Sequence, residues 1–134
     1  MRQVHNAYRV LLVLWAGSLW AAALWVAPTL FFGQPDRQLA GLLAGRIFMI
    51  EAYLGVAAAI LGALLPGRTR LMPAYLAAAL LACNEWGLRP LMAQARLHGS
   101  SLSLGFGAWH GVSFALYVAA CLSVLVLVWK NDFR

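Results

Sequence analysis

In the stretch CNEWGLRPLMAQAR, residues 83–96, Glu85, Arg89, Met92 and Arg96 follow one another at intervals of four, three and four. On a helix that spacing puts all four on one face, with the acid one turn before the base, the favourable order for an intrahelical ion pair. Two other stretches carry similar chemistry. AGRIFMIEAY holds Arg46 and Glu51, and AWHGVSF holds His110 and Ser113. With Asn84 these make eight candidate site residues: Arg46, Glu51, Asn84, Glu85, Arg89, Arg96, His110 and Ser113. The carboxylates can carry protons or cations, the guanidinium groups can hold anions, and His110 is a weak candidate for a metal or haem iron.

The elements that position them are apolar. The 134 residues are 63% hydrophobic and 10% charged, against roughly 25% charged in soluble domains. Four segments, about 10–33, 40–65, 71–95 and 105–129, reach the roughly 20 residues needed to cross a bilayer. The expected fold is an all-α membrane protein, a single domain over residues 1–134 built as a four-transmembrane-helix bundle. The first apolar run is about twice the usual signal-peptide core and reads as a retained helix. Cys83 and Cys121 lie inside apolar segments, without the pattern of a disulfide framework or zinc site.

Charge sets the expected orientation. Arg2, Arg9, Arg68, Arg70, Lys130 and Arg134 flank the two termini and the middle loop, so both termini are expected inside. The net charge of +6 then reads as topology and affinity for anionic lipid, because no clustered basic face is available for nucleic acid. In this N-in/C-in arrangement Arg46 enters near the outer interface, with Glu51 about 7.5 Å deeper at 1.5 Å per residue. Helix 3 carries Asn84, Glu85 and Arg89 outward, and helix 4 re-enters through His110 and Ser113. The candidate residues thereby gather in the outer half of the bundle. Pro90 lacks an N–H and predicts a kink that frees a carbonyl near Trp86.

Two readings of this cluster follow from the residues. Glu51, Glu85, Arg46 and Arg89 sum to zero charge and could pair for structural reasons alone. Intramembrane charges nevertheless cost about 2.5–3.5 kcal/mol each, and are functional candidates by default. On helix 2, Ala44, Glu51, Gly55, Ala58 and Gly62 share a small-residue stripe suited to close helix approach, in this chain or in a homo-oligomer.

The stretches LWAGSLW, APTLF, AGLLAGRIF, RPLMAQAR and FGAWHGVSFALY occur in that order. Together they resemble a bacterial family of unknown function numbered 4149, itself similar to the eukaryotic transmembrane protein 205, over about residues 8–130. The resemblance implies a small four-helix protein of the bacterial inner membrane. It places the family's polar positions on Arg46, Glu51, Pro90, Arg96, His110 and Ser113. The eukaryotic relative's association with tolerance of platinum drugs points to handling of metals or small molecules.

The expected function is therefore binding or transport of a small solute, metal ion or proton at an outer-leaflet polar site. One alternative is a redox protein holding haem b or a quinone through His110; another is a structural partner in a larger membrane complex. Hydrolase chemistry is less expected, because no nucleophile–base spacing occurs.

Overall fold

The structure, a computed structural model, describes residues 2–65 and 71–130. Its helices form four runs. The first joins α1 (Arg2–Ala21), a π-helical segment (Ala22–Val26) and α2 (Ala27–Gly33). The second is α3 (Arg37–Leu64), whose N-terminus is capped by Asp36 accepting from the backbone N–H of Gln38 and Leu39 at 2.8 and 3.2 Å. The third joins α4 (Met72–Ala82), a second π-helical segment (Cys83–Leu88) and α5 (Arg89–His98), and the fourth is α6 (Phe106–Lys130). Arg68, Arg70 and Arg134, which bear on orientation, lie outside the described residues.

Among the described residues, three helical stretches are long and apolar enough to cross a membrane: Gln3–Gly33, Arg37–Leu64 and Phe106–Trp129. The sequence suggested four such spans. The third run is absent from the three, and its apolar α4 gives way within the run to Asn84, Glu85 and Arg89. Large apolar side chains such as Leu14, Trp25, Phe32, Leu64, Phe114 and Trp129 stand exposed. That much apolar surface suits hydrocarbon and not water.

Both π segments end two residues before a proline, Val26 before Pro28 and Leu88 before Pro90. A proline in an α-helix lacks its N–H and presses its ring against the carbonyl four residues earlier. The wider π turn relieves that clash, as the Arg89 N–H bonding back to the Asn84 carbonyl shows. The kink expected at Pro90 is thus a π bulge spread over Cys83–Leu88, and Pro28 has the same device.

The core is made by small residues and a few large ones. On α4, Ala74, Ala77, Ala78 and Leu81 form a buried stripe facing α3 and α6. On α6, Tyr117, Ala120, Cys121, Val124 and Leu127 do the same. The α1–α3 contact has a distinct design. Tyr8, Leu12, Trp15 and Leu19 are buried at i, i+4, i+7 and i+11 of α1, and Glu51, Gly55, Ala58 and Gly62 have the same spacing on α3. The Tyr8 hydroxyl donates to the Ala58 carbonyl at 2.8 Å, and Trp15 Nε1 donates to the Glu51 carbonyl at 3.3 Å. Each carbonyl lies four residues before a glycine. A helical side chain covers the turn on its N-terminal side, so glycine at Gly55 and Gly62 leaves those carbonyls open. A Cβ on Gly55 would come within 2.7 Å of Trp15 Cζ2, and one on Gly62 would collide with the Tyr8 hydroxyl. The α3 stripe is therefore filled by α1 of the same chain and does not offer itself to a second copy.

At the other end of the bundle, Ser101 and Leu104 close a two-residue turn through backbone bonds of 2.8 and 3.0 Å. Its central residues Leu102 and Ser103 have φ of 48° and 65°, a region that costs an L-residue roughly 1–2 kcal/mol. Trp109 Nε1 donates to the Ser101 carbonyl at 2.9 Å, and Ser101 Oγ donates to Gln94 Oε1 at 3.1 Å. These bonds tie the loop HGSSLSLGFG to both α5 and α6.

Substituting Gly55→Ala is expected to destabilise the protein by about 1–3 kcal/mol, as overpacking does. Gly17→Ala, where a Cβ meets nothing within 4 Å, serves as the control and should be neutral or slightly stabilising. Thermal unfolding in detergent measures both, and equal midpoints for the two variants would contradict the seam.

Candidate functional site

Glu51 lies where α1, α3 and α6 meet, and is 5% exposed. Ser18, one turn after Trp15 on α1, places its hydroxyl 3.1 Å from Glu51 Oε2 and 2.8 Å from the Trp15 carbonyl. Tyr117 and Cys121 on α6 lie within electrostatic reach of the carboxyl. Both of them address the carbonyl of Leu19, Tyr117 with an O–H···O bond of 3.1 Å and Cys121 with a sulfur contact of 4.0 Å. The Tyr117 ring packs on Phe48 with centroids 4.7 Å apart. Among the described residues no arginine, lysine or histidine forms an ion pair with Glu51.

The second π segment sends its polar residues in two directions. Asn84 turns to α6, where Nδ2 donates to the Ser113 carbonyl at 3.3 Å; its Oδ1 is buried without a hydrogen-bond partner. Glu85 pairs with Arg89 along the same helix, in the order the spacing suggests. The Arg89 guanidinium lies over Gly45 of α3, where an added Cβ would stand 3.4 Å from it. Nearby, Trp86 meets Tyr53 of α3 edge-on with centroids 5.4 Å apart.

Arg96 and His110, both exposed, share one aromatic surface. The Arg96 guanidinium sits 4.5 Å from the centre of the Phe106 ring, and the His110 ring stacks on Phe106 at 5.8 Å. Arg46 is exposed on α3. It lies about 140° around the helix from Glu51 at 100° per residue.

The eight residues therefore fall into separate sets: Glu51 against α1, Asn84 with Ser113, Glu85 with Arg89, Arg96 with His110, and Arg46 alone. Of the four charges that could have paired, Glu85 and Arg89 do so, and among the described residues Glu51 and Arg46 form no ion pair. Three partners came only with the structure: Ser18 beside Glu51, Phe106 between Arg96 and His110, and Gly45 under Arg89. Ser18 had a local signal, being three residues after a buried tryptophan and so on the same helix face. The other two depend on contacts between helices. Among the described residues, no three His, Cys, Asp or Glu side chains gather as a metal site would need.

Residues 10–101 match the family described as Domain of unknown function (DUF4149). The chain belongs to that family. The match runs from residue 10 in α1 to Ser101, where the turn begins, includes Glu51 and the Glu85–Arg89 pair, and stops before His110 and Ser113. No curated protein and no solved structure matches the chain, so a likeness to transmembrane protein 205 is not among what these comparisons show.

The geometry predicts the reactivity of the two cysteines. Cys83 is exposed, whereas Cys121 is buried over the Leu19 carbonyl beside Glu51. Treatment with N-ethylmaleimide in mild detergent should give one adduct, on Cys83, by mass spectrometry. Equal labelling of Cys121 would mean that α6 does not close over Glu51.

Proposed function

We propose that this chain is an integral protein of the bacterial inner membrane, with both termini inside and four membrane-crossing runs, that binds or moves a small solute or proton around Glu51. The observation that carries this reading is a buried acid, in a helix long and apolar enough to span a membrane, with no cation paired to it among the described residues. A carboxyl held only for structure would be expected to have a counter-charge or to be replaced by a group that does not ionise, since ionisation without a partner costs several kcal/mol there. Such residues inside membranes mark ion, proton and substrate paths. A metal ion is the less favoured ligand, because Glu51 has Ser18, Tyr117 and Cys121 around it and, among the described residues, no three His, Cys, Asp or Glu side chains gather as a metal site would need.

The outer polar groups fit an accessory role. Asn84 Oδ1 remains available as an acceptor beside α6. Arg46, Arg96 and His110 stand exposed, suited to anionic headgroups or to an approaching anion. A haem or quinone reading would rest on His110, whose ring is already stacked on Phe106. A homo-oligomer would have to pack through faces other than the α3 glycine stripe, which α1 occupies.

The test is proton flux in liposomes containing the purified protein, driven by a potassium diffusion potential and read by an internal pH dye. Glu51→Gln should lower the flux at least tenfold, while Arg46→Gln should leave it within about twofold. These thresholds correspond to about 1.4 and 0.4 kcal/mol. Equal fluxes for wild type and Glu51→Gln would remove Glu51 from the function.

A further inference from the structure

We infer that Glu51 is a proton-binding site whose resident ligand in this geometry is the proton itself, and that Ser18 is its positioning partner. The inference deepens the reading of Glu51 as the working group, but it stands on hydrogen-atom bookkeeping at one hydroxyl. Ser18 Oγ lies 2.8 Å from the Trp15 carbonyl oxygen and 3.1 Å from Glu51 Oε2. A serine hydroxyl has one hydrogen to donate and two lone pairs to accept with. A carbonyl oxygen can only accept, so the shorter contact needs the serine hydrogen. The contact to Glu51 is then left without a hydrogen unless the carboxyl brings its own.

An ionised Glu51 forces a poorer arrangement. The serine hydrogen would turn to the carboxylate, leaving Ser18 Oγ and the Trp15 carbonyl, two acceptors, 2.8 Å apart with nothing between them. The carboxylate would have that single donor. It would sit 5% exposed, with no ion-pair partner among the described residues. The groups that face it from the packed helices are Ser18 on α1 and Tyr117 and Cys121 on α6, none of them a cation. Neither of the latter two donates to the carboxyl, because the Tyr117 hydroxyl and the Cys121 thiol are both directed at the Leu19 carbonyl. Burying an ion under these conditions is far more costly than burying the neutral acid.

The proton-bound state is thus a chain in which Glu51 O–H donates to Ser18 and Ser18 O–H donates to Trp15. Release transfers the carboxyl proton to water. Ser18 then rotates its hydrogen onto the carboxylate, and the Trp15 carbonyl keeps only its helical partner. Because Trp15 is also the side chain set into Gly55, proton loss acts on the residue that locks α1 to α3.

The other described acids are differently placed, which makes the proton visible. Asp36 accepts two backbone N–H groups as a helix cap, and Glu85 is paired with Arg89. Infrared spectroscopy of the purified full-length protein at pH 7 should therefore show a protonated-carboxyl C=O band that is absent from Glu51→Gln. The glutamine amide of that variant can donate a hydrogen to Ser18 and so preserves the packing. In Ser18→Ala the band should move to higher frequency as its acceptor is lost. No band in wild type, or a band that persists in Glu51→Gln, overturns the inference; a band unmoved in Ser18→Ala removes the role of Ser18. A band without flux in the liposome assay would sink transport and leave the proton site standing, whereas flux without the band would do the reverse.

Discussion

The contact on which the rest of the structure depends is the insertion of two α1 aromatics into the glycine stripe of α3. For helices apolar enough to span a membrane, burial against one another would gain little in hydrocarbon, because lipid is as apolar as the partner helix. Close packing and hydrogen bonding must hold them together. Tyr8 and Trp15 supply both: their rings fill the space above Gly62 and Gly55, and their polar tips reach the carbonyls of Ala58 and Glu51. The glycines are needed twice over, for room and for access to a carbonyl already engaged within its own helix.

That register decides the surroundings of Glu51. With Trp15 bonded to the Glu51 carbonyl, the next turn of α1 brings Ser18 to the carboxyl. Tyr117 and Cys121 on α6 both lie within electrostatic reach of it and meet the same α1 carbonyl, that of Leu19. An acid that could have been paired with arginine is surrounded instead by neutral groups. Among the described residues no cation is paired with it, and that arrangement follows from helix packing. Arg46, only five residues away, points elsewhere because the α-helical repeat turns it to another face.

The proline-linked π segment Cys83–Leu88 has a related effect on the polar residues. The Cys83–Leu88 segment lets Asn84 face α6 while the adjacent Glu85 serves Arg89, which lies against α3. A regular helix would separate adjacent positions by 100° as well, but would meet Pro90 with a steric clash. The cluster that an idealised helix wheel draws as one outer pocket is divided among several helix contacts.

Much of this was legible in the sequence. The length of the apolar runs, the shortage of charge and the small-residue stripe of α3 pointed to an all-helical, four-run fold with tight packing, since runs apolar enough for lipid must satisfy their backbone internally there. The spacing of Glu85 and Arg89 determined their pairing, because both ends lie on one helix and one turn apart. The partners of Glu51, Arg96 and His110 were another matter. Whether Glu51 met an arginine or a serine depended on which face of α1 crossed α3 and at what height, and no local periodicity fixes a crossing. Phe106 came between Arg96 and His110 only because the turn at Ser101–Leu104 returns α6 beside α5. The sequence determined which residues must be buried or paired within a helix; the tertiary structure alone decided which ones meet across helices, since that choice rests on interhelical register.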